Sequence, residues 1–231
     1  MPRLTRALVP WLFIVFAVVL AGALGPLPVA AAPKTVIAGR CRPQAPQPFL
    51  QRDHYVLQGS LSPGAHEKAL RYRTEHYGYV EGFGSRAWNA HEPKDFAQTT
   101  TFAGLRLLVH KKIVDPLHCV EREIQRACRA APYQPKAMGG FRDHNTYRGG
   151  EVTNHLYGIA IDIDPDRNPC CHCVKPWSDE PRCARQVHSP YERAALPPCW
   201  IHSFERFGFY WLGHDELEDT MHFEFLGIPR D

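Results

Sequence analysis

The stretch Thr153-Asn154-His155-Leu156-Tyr157-Gly158-Ile159-Ala160-Ile161-Asp162-Ile163-Asp164 decides how the rest of this 231-residue chain is read. From Ile159 to Asp164 its residues alternate strictly, the period of a half-buried β-strand. Ile159, Ile161 and Ile163 then face a core, and Ala160, Asp162 and Asp164 face the other way. A bare carboxylate beside β-branched apolar residues is costly unless it finds a partner or water. Gly158 places a turn ahead of the strand, so His155 and Asp162 can converge on one point.

A second alternating stretch, Asp219-Thr220-Met221-His222-Phe223-Glu224-Phe225, predicts another short strand. His222 and Glu224 share one face and the aromatics the other, which turns Phe223 and Phe225 to a core and His222 to a cleft. Two imidazoles and a carboxylate form a ligand set for catalytic zinc that leaves one position for water. Asp219 is an acid able to accept a proton beside it. Residue types alone leave this open. A chain with 13 His and 24 acidic residues produces some His/Asp pairs by chance. His155 as a turn cap, Asp162 as an arginine's partner and His222 as a surface strand residue fit as well.

Around this core the chain carries marks of export. Met1 to Ala32 has a basic start (Arg3, Arg6), an apolar run from Leu8 to Leu24 and small residues after Gly25-Pro26, the layout of a signal peptide spanning residues 1–31. The apolar run, about 17 residues, is at the lower limit for a membrane anchor, so no stable membrane association is expected after leader cleavage. All 8 cysteines follow Cys41 or include it, an even number that suits disulfides in an oxidising compartment. Cys119 and Cys128 fall in an expected helix, Asp115–Ala130, where nine residues place them on opposite faces about 13 Å apart along the axis. Each therefore needs a partner elsewhere, among Cys41, Cys170, Cys171, Cys173, Cys183 and Cys199. The cluster with His172 also admits a zinc knot, though its spacing matches no pair of CxxC hooks.

The formal charge is +3, and the leader holds two arginines and no acid, which leaves the remainder at +1. That excludes a nucleic-acid binder recognised by net charge. Residues 32–95 are rich in Pro, Gly, His and aromatics and read as an N-terminal extension, with a short helix over Ala65–Glu75 and a packing group of Tyr72, His76, Tyr77 and Tyr79. Thr101–Lys112 shows an apolar face. There is no GxxxxGK[ST] loop and no HExxH helix. Asp162-x-Asp164-x-Asp166 is no calcium loop, because Arg167 stands at the sixth position and Cys173 at the twelfth. His202 and His214 read as structural.

The motifs Thr153-x-His155-x-x-Gly158-x-Ala160-x-Asp162-Ile163 and Asp219-x-x-His222-Phe223-Glu224 resemble those of the VanY-type D-alanyl-D-alanine carboxypeptidase group. That group lies within the LAS metallopeptidases (lysostaphin, D-Ala-D-Ala peptidases, sonic hedgehog). Trp200–Trp211 is similar to the helix-then-strand segment before the last ligand, and Gly139-Gly140-Phe141-Arg142 to the strand before the first motif. The resemblance covers about residues 100–231. It implies an α+β fold, a small antiparallel sheet flanked by helices, in a domain at 96–231 with a disulfide-rich insertion at 165–198.

The resemblance also implies that His155, Asp162 and His222 bind one Zn2+ and that Asp219 is the catalytic acid/base. Many carboxypeptidases of the group have Glu at that position, while endopeptidases cutting between L-Ala and D-Glu have Asp. Thr153 stands where a hydroxyl lines the substrate cleft. Arg148 and Arg142 compete for the arginine that binds a substrate carboxylate or polarises the carbonyl, with Arg148 favoured for catalysis and Arg142 for substrate binding. The expectation is a periplasmic or secreted zinc peptidase acting on peptidoglycan peptides. The alternatives are a non-catalytic zinc-containing binding module, as in hedgehog-like relatives, and a disulfide-rich structural protein.

Overall fold

The computed structural model describes residues 41–173 and 177–230. The expected signal peptide lies outside the described residues, as do residues 32–40 of the expected extension and 174–176 of the insertion. Among the described residues no helix is long and apolar enough to cross a membrane.

In chain order the elements are a hairpin of β1 (Val56–Leu57) and β2 (Ser60–Leu61), helix α1 (Pro63–Tyr77), a hairpin of β3 (Ala97–Phe102) and β4 (Leu105–His110), helix α2 (Val114–Ala127), strands β5 (Met138–Gly139) and β6 (Ala160–Ile163), the short α3 (Pro181–Ala184), α4 (Pro198–Glu205), β7 (Phe209–Trp211) and β8 (His222–Phe225). The architecture is α+β. The central sheet is antiparallel throughout, in the order β5-β6-β8-β7. Thr101–Lys112, whose apolar face carried no element type, is mostly the β3–β4 hairpin. Ala103 and Gly104 both take positive φ, the two-residue turn whose twist matches that of the flanking strands.

Helix α2 forms because Leu117, Val120 and Ile124 recur on one face, and Pro116 sits in the first turn, where its missing N–H costs nothing. Helix α4 buries Trp200, Ile201 and Phe204. Phe204 stacks on Phe223 of β8 with centroids 4.2 Å apart and meets Phe209 of β7 edge-on at 5.3 Å. Such pairs add ~0.5–1.5 kcal/mol each beyond area burial. With Phe223 and Phe225 anchored in this core, the pleat sends His222 and Glu224 to the opposite face.

The expected strand Ile159–Asp164 is shorter, Ala160–Ile163, and fully buried rather than half-buried. It ends because Asp164 leaves the β region at φ 45°, its carboxylate accepting from Lys136 N and Ala137 N (2.7 Å each) and from the Tyr133 hydroxyl (2.6 Å). The polar side of the sheet is covered because residues of the expected extension pack there: Leu50, Tyr55, Val56 and Ala69 form a second apolar cluster with Tyr210, Leu212 and Leu226. The expected Ala65–Glu75 helix is the longer α1. It carries Arg73, whose buried guanidinium donates to Leu50 O (2.8 Å) and the Tyr55 hydroxyl (3.2 Å).

All eight cysteines are paired: Cys41–Cys119, Cys128–Cys199, Cys170–Cys173 and Cys171–Cys183. The zinc-knot alternative therefore has no thiols. The expected helix Asp115–Ala130 ends at Ala127, so Cys128 caps α2 rather than lying within it, and Cys119 and Cys128 each bond elsewhere. The insertion runs beside the segment that leads into β8: Cys171 N donates to Glu218 O (3.2 Å), His172 N to Leu217 O (2.9 Å) and Thr220 N to Pro169 O (3.0 Å).

Candidate metal centre

His155 and Asp162 meet because the turn between them is tight. Gly158 takes φ 68°, and a Cβ there would lie 2.8 Å from His110 N and 2.9 Å from Phe141. Only glycine lets this turn lie against the end of β4, where its carbonyl accepts from His110 N at 2.8 Å. Asp162 and His222 meet because β6 and β8 pair in a register that sets them directly opposite.

The three side chains are buried and converge. Asp162 Oδ1 lies 2.8 Å from His222 Nδ1, Asp162 Oδ2 lies 3.2 Å from His155 Nε2, and the two imidazole nitrogens are 3.2 Å apart. Each histidine is fixed from behind: His155 Nδ1 donates to Gly140 O (2.6 Å) and His222 Nε2 to Glu224 Oε1 (3.1 Å). Outer nitrogens held by a carbonyl and a carboxylate are the arrangement that orients metal-ligating histidines. One ligand atom from each of the three residues lies within 4.8 Å of the others, so the set can hold a metal ion.

The electrostatics agree. Burial alone would lower the His222 pKa, but Asp162 and Glu224 outweigh it and raise the group to about 10. Burial likewise opposes ionisation of Asp162, yet His155 and His222 hold it well below the ordinary carboxylate range. A pocket with two carboxylates around one imidazole asks for positive charge. Asp219 is buried too, and its Oδ1 has no hydrogen-bond partner. Burial pushes its carboxyl up to about 7, with His222 opposing the rise and Asp162 adding to it. An orphaned buried carboxylate oxygen beside this donor set fits a site that takes a cation and a polar guest.

Arg142 reaches the triad, donating to Asp162 Oδ2, and its side chain keeps an open flank at 31% exposure. Arg148 is exposed and meets none of the triad. Thr153 is buried, with its hydroxyl accepting from His155 N at 3.4 Å. It shapes the turn that carries the histidine. His202 and His214 share Glu205, at 3.3 and 2.8 Å. Cys170 and Cys173 lie near Asp219, but they are disulfide-bonded and offer no thiolate.

Two contributors escaped the sequence reading. The sequence places Glu224 on the face of His222 without a role; its i, i+2 spacing from His222 on a strand is the available signal. The Gly140 carbonyl had none, since any residue supplies one.

Residues 147–225 match the D-alanyl-D-alanine carboxypeptidase family. The match bears out the resemblance to the VanY-type group, and the matched stretch contains His155, Asp162, Asp219 and His222. Searches of curated proteins and of solved structures returned no significant match. Arg142 and the whole of residues 41–95 lie outside the carboxypeptidase match, although Leu50, Tyr55, Val56 and Ala69 of that segment pack on one side of the sheet that carries the site.

Proposed function

We propose that this protein is an exported zinc peptidase of LAS type that hydrolyses peptide bonds in the stem peptides of peptidoglycan, as a D-Ala-D-Ala carboxypeptidase or an L-Ala-D-Glu endopeptidase. The observation that carries the reading is the convergence of His155, Asp162 and His222 beside the buried carboxyl of Asp219, whose Oδ1 has no hydrogen-bond partner, inside the stretch that matches the carboxypeptidase family. Zinc fits the donor set: tetrahedral bonds of ~2.0–2.1 Å separate ligand atoms by about 3.4 Å, close to the separations of 2.8–3.2 Å here. When bound, zinc supplies Lewis acidity toward a carbonyl and lowers the pKa of water.

The chain's own groups do the rest. Asp219, with its proton affinity raised by burial, accepts a proton at its carboxylate and returns it to the leaving amine. Glu224 and the Gly140 carbonyl keep both imidazoles aimed inward. Arg142, at the edge of the triad with one side open, takes the role of binding a substrate carboxylate or the developing negative charge, since its planar fork suits either. Arg148 would reach a substrate only from the solvent side. Four disulfides support an oxidising destination, periplasmic or secreted.

The test is digestion of purified muropeptides with and without chelator, the products read by mass spectrometry. The expected result is loss of a terminal D-Ala, or scission between L-Ala and D-Glu, that chelator stops and zinc restores. Intact stem peptides in the presence of fully metal-loaded protein would overturn the proposal in favour of a binding module.

A further inference from the structure

We propose that Arg52 is a positioning residue that ties together the two loops delivering the site's side chains, so that the N-terminal segment completes the site; its effect on rate rests on the hydrolytic reading above. Arg52 is 7% exposed, and all three nitrogens of its guanidinium donate to carboxylates. Nε and Nη2 form a two-pronged pair with Glu151 (2.9 and 3.1 Å), and Nη1 donates to Asp215 Oδ1 and Glu216 Oε1 (3.0 Å each). Glu151 belongs to the loop that leads into Thr153 and His155. Asp215 and Glu216 belong to the loop that leads into Asp219 and His222.

Each contact is relayed toward the site. Glu151 O accepts from Asn145 Nδ2 (2.7 Å), and Asn145 Oδ1 accepts from Thr153 N (3.0 Å), two residues before His155. Asp215 Oδ1 also accepts from Leu217 N (2.9 Å), and the backbone N–H groups of Asp215 and Asp219 converge on Leu212 O at 3.1 Å each. Neither loop has a helix or strand over residues 143–153 or 215–221, and while the insertion at Pro169–His172 braces the second at Leu217–Thr220, Arg52 is the contact that joins the two. A forked, charge-assisted contact fixes direction as well as distance. Removing Arg52 would leave Glu151 and Asp215, both largely buried, as carboxylates without their counter-ion, which drives them apart or toward solvent. Either motion shifts Asp219 relative to His155, and a misplacement of about 1 Å can cost ~10²-fold in rate.

The experiment compares the full chain with Arg52→Met, Arg52→Lys and Glu151→Gln by hydrogen exchange and by muropeptide kinetics. In Arg52→Met, amides in 145–155 and in 215–221 should exchange about tenfold faster together. Glu151→Gln should speed exchange in 215–221, a loop Glu151 does not touch. The kcat of Arg52→Met should fall ~10²-fold with KM and metal content nearly unchanged, and Arg52→Lys, which keeps the charge but loses the fork, should fall between. Exchange at wild-type rates in both loops of Arg52→Met, or an effect of Glu151→Gln confined to 145–155, overturns the proposal. If Arg52→Met does not fold, Glu151→Gln and Arg52→Lys decide in the same way. If the wild type cuts no stem peptide, the hydrolytic reading falls, and the exchange data alone decide whether the clamp exists.

Discussion

His110 at the end of β4 and His222 at the start of β8 are both buried, and the protein treats them in opposite ways. His110 lies between the rings of Tyr77 and Phe96, at 5.3 and 5.4 Å, and its Nδ1 accepts from Lys112 N at 3.1 Å. Burial, with Lys112 and Lys111 adding to it, lowers its pKa to about 4. His222 sits between Asp162 and Glu224, which overcome the same desolvation and raise it to about 10. Burial of a histidine therefore does not mark a site. What marks one is a carboxylate on each nitrogen and a second imidazole aimed at the same point. The first kind of pocket excludes charge, and the second gathers it.

The comparison breaks most readily at His222. If the gathering pocket holds the metal, His222→Ala should lose essentially all bound zinc and all hydrolysis, as metal analysis of the purified chain would show; unchanged stoichiometry refutes the ligand set. Asp219→Ala should separate binding from chemistry, keeping zinc while kcat drops ~10²–10⁴-fold, the range for a general acid/base. Full activity in that variant removes Asp219 from the mechanism.

His110 sharpens the contrast from the other side. Its folded pKa of about 4 lies below the unfolded value of 6.5, so the unfolded chain binds the extra proton and stability falls as pH drops from 6.5 to 4. The share lost is about 3 kcal/mol. His110→Asn, which can keep an acceptor for Lys112 N, should flatten that part of the pH–stability curve in urea titrations and leave zinc content unchanged; a curve parallel to wild type means His110 is not buried neutral. The smallest expected effect belongs to Glu224→Gln. Losing the charge behind His222 should weaken zinc ~10–100-fold, measured by competition with a chromophoric chelator. No change would mean that the outer nitrogen needs only an acceptor and not a charge.

Most of the site was legible because short strands write their facing in period two. His222 and Glu224 against Phe223 and Phe225, and the turn at Gly158, are local features that a sequence displays. Cys119 and Cys128 bond elsewhere, because the helix over 114–127 carries Cys119 more than two turns away from Cys128 at its C-terminal end. The strand boundary at Asp164 was not legible. It depends on Lys136 and Ala137, some thirty positions away in the chain, donating to the Asp164 carboxylate. The sequence favoured Arg148 over Arg142 for catalysis, and only the course of the loop between them leaves Arg148 exposed and brings Arg142 to Asp162.

Residue order by itself determined which candidate donors share a face of two short strands and that a tight turn precedes the first of them, since each follows from local periodicity and turn chemistry. Tertiary structure alone decided which backbone carbonyl holds His155, which half-cystines pair, and that Arg52 and Arg73 in a segment without motifs come to lie beside the sheet. Those contacts span tens to more than a hundred positions of chain, and an arginine's long, flexible reach leaves no periodic trace of the carboxylate it will meet.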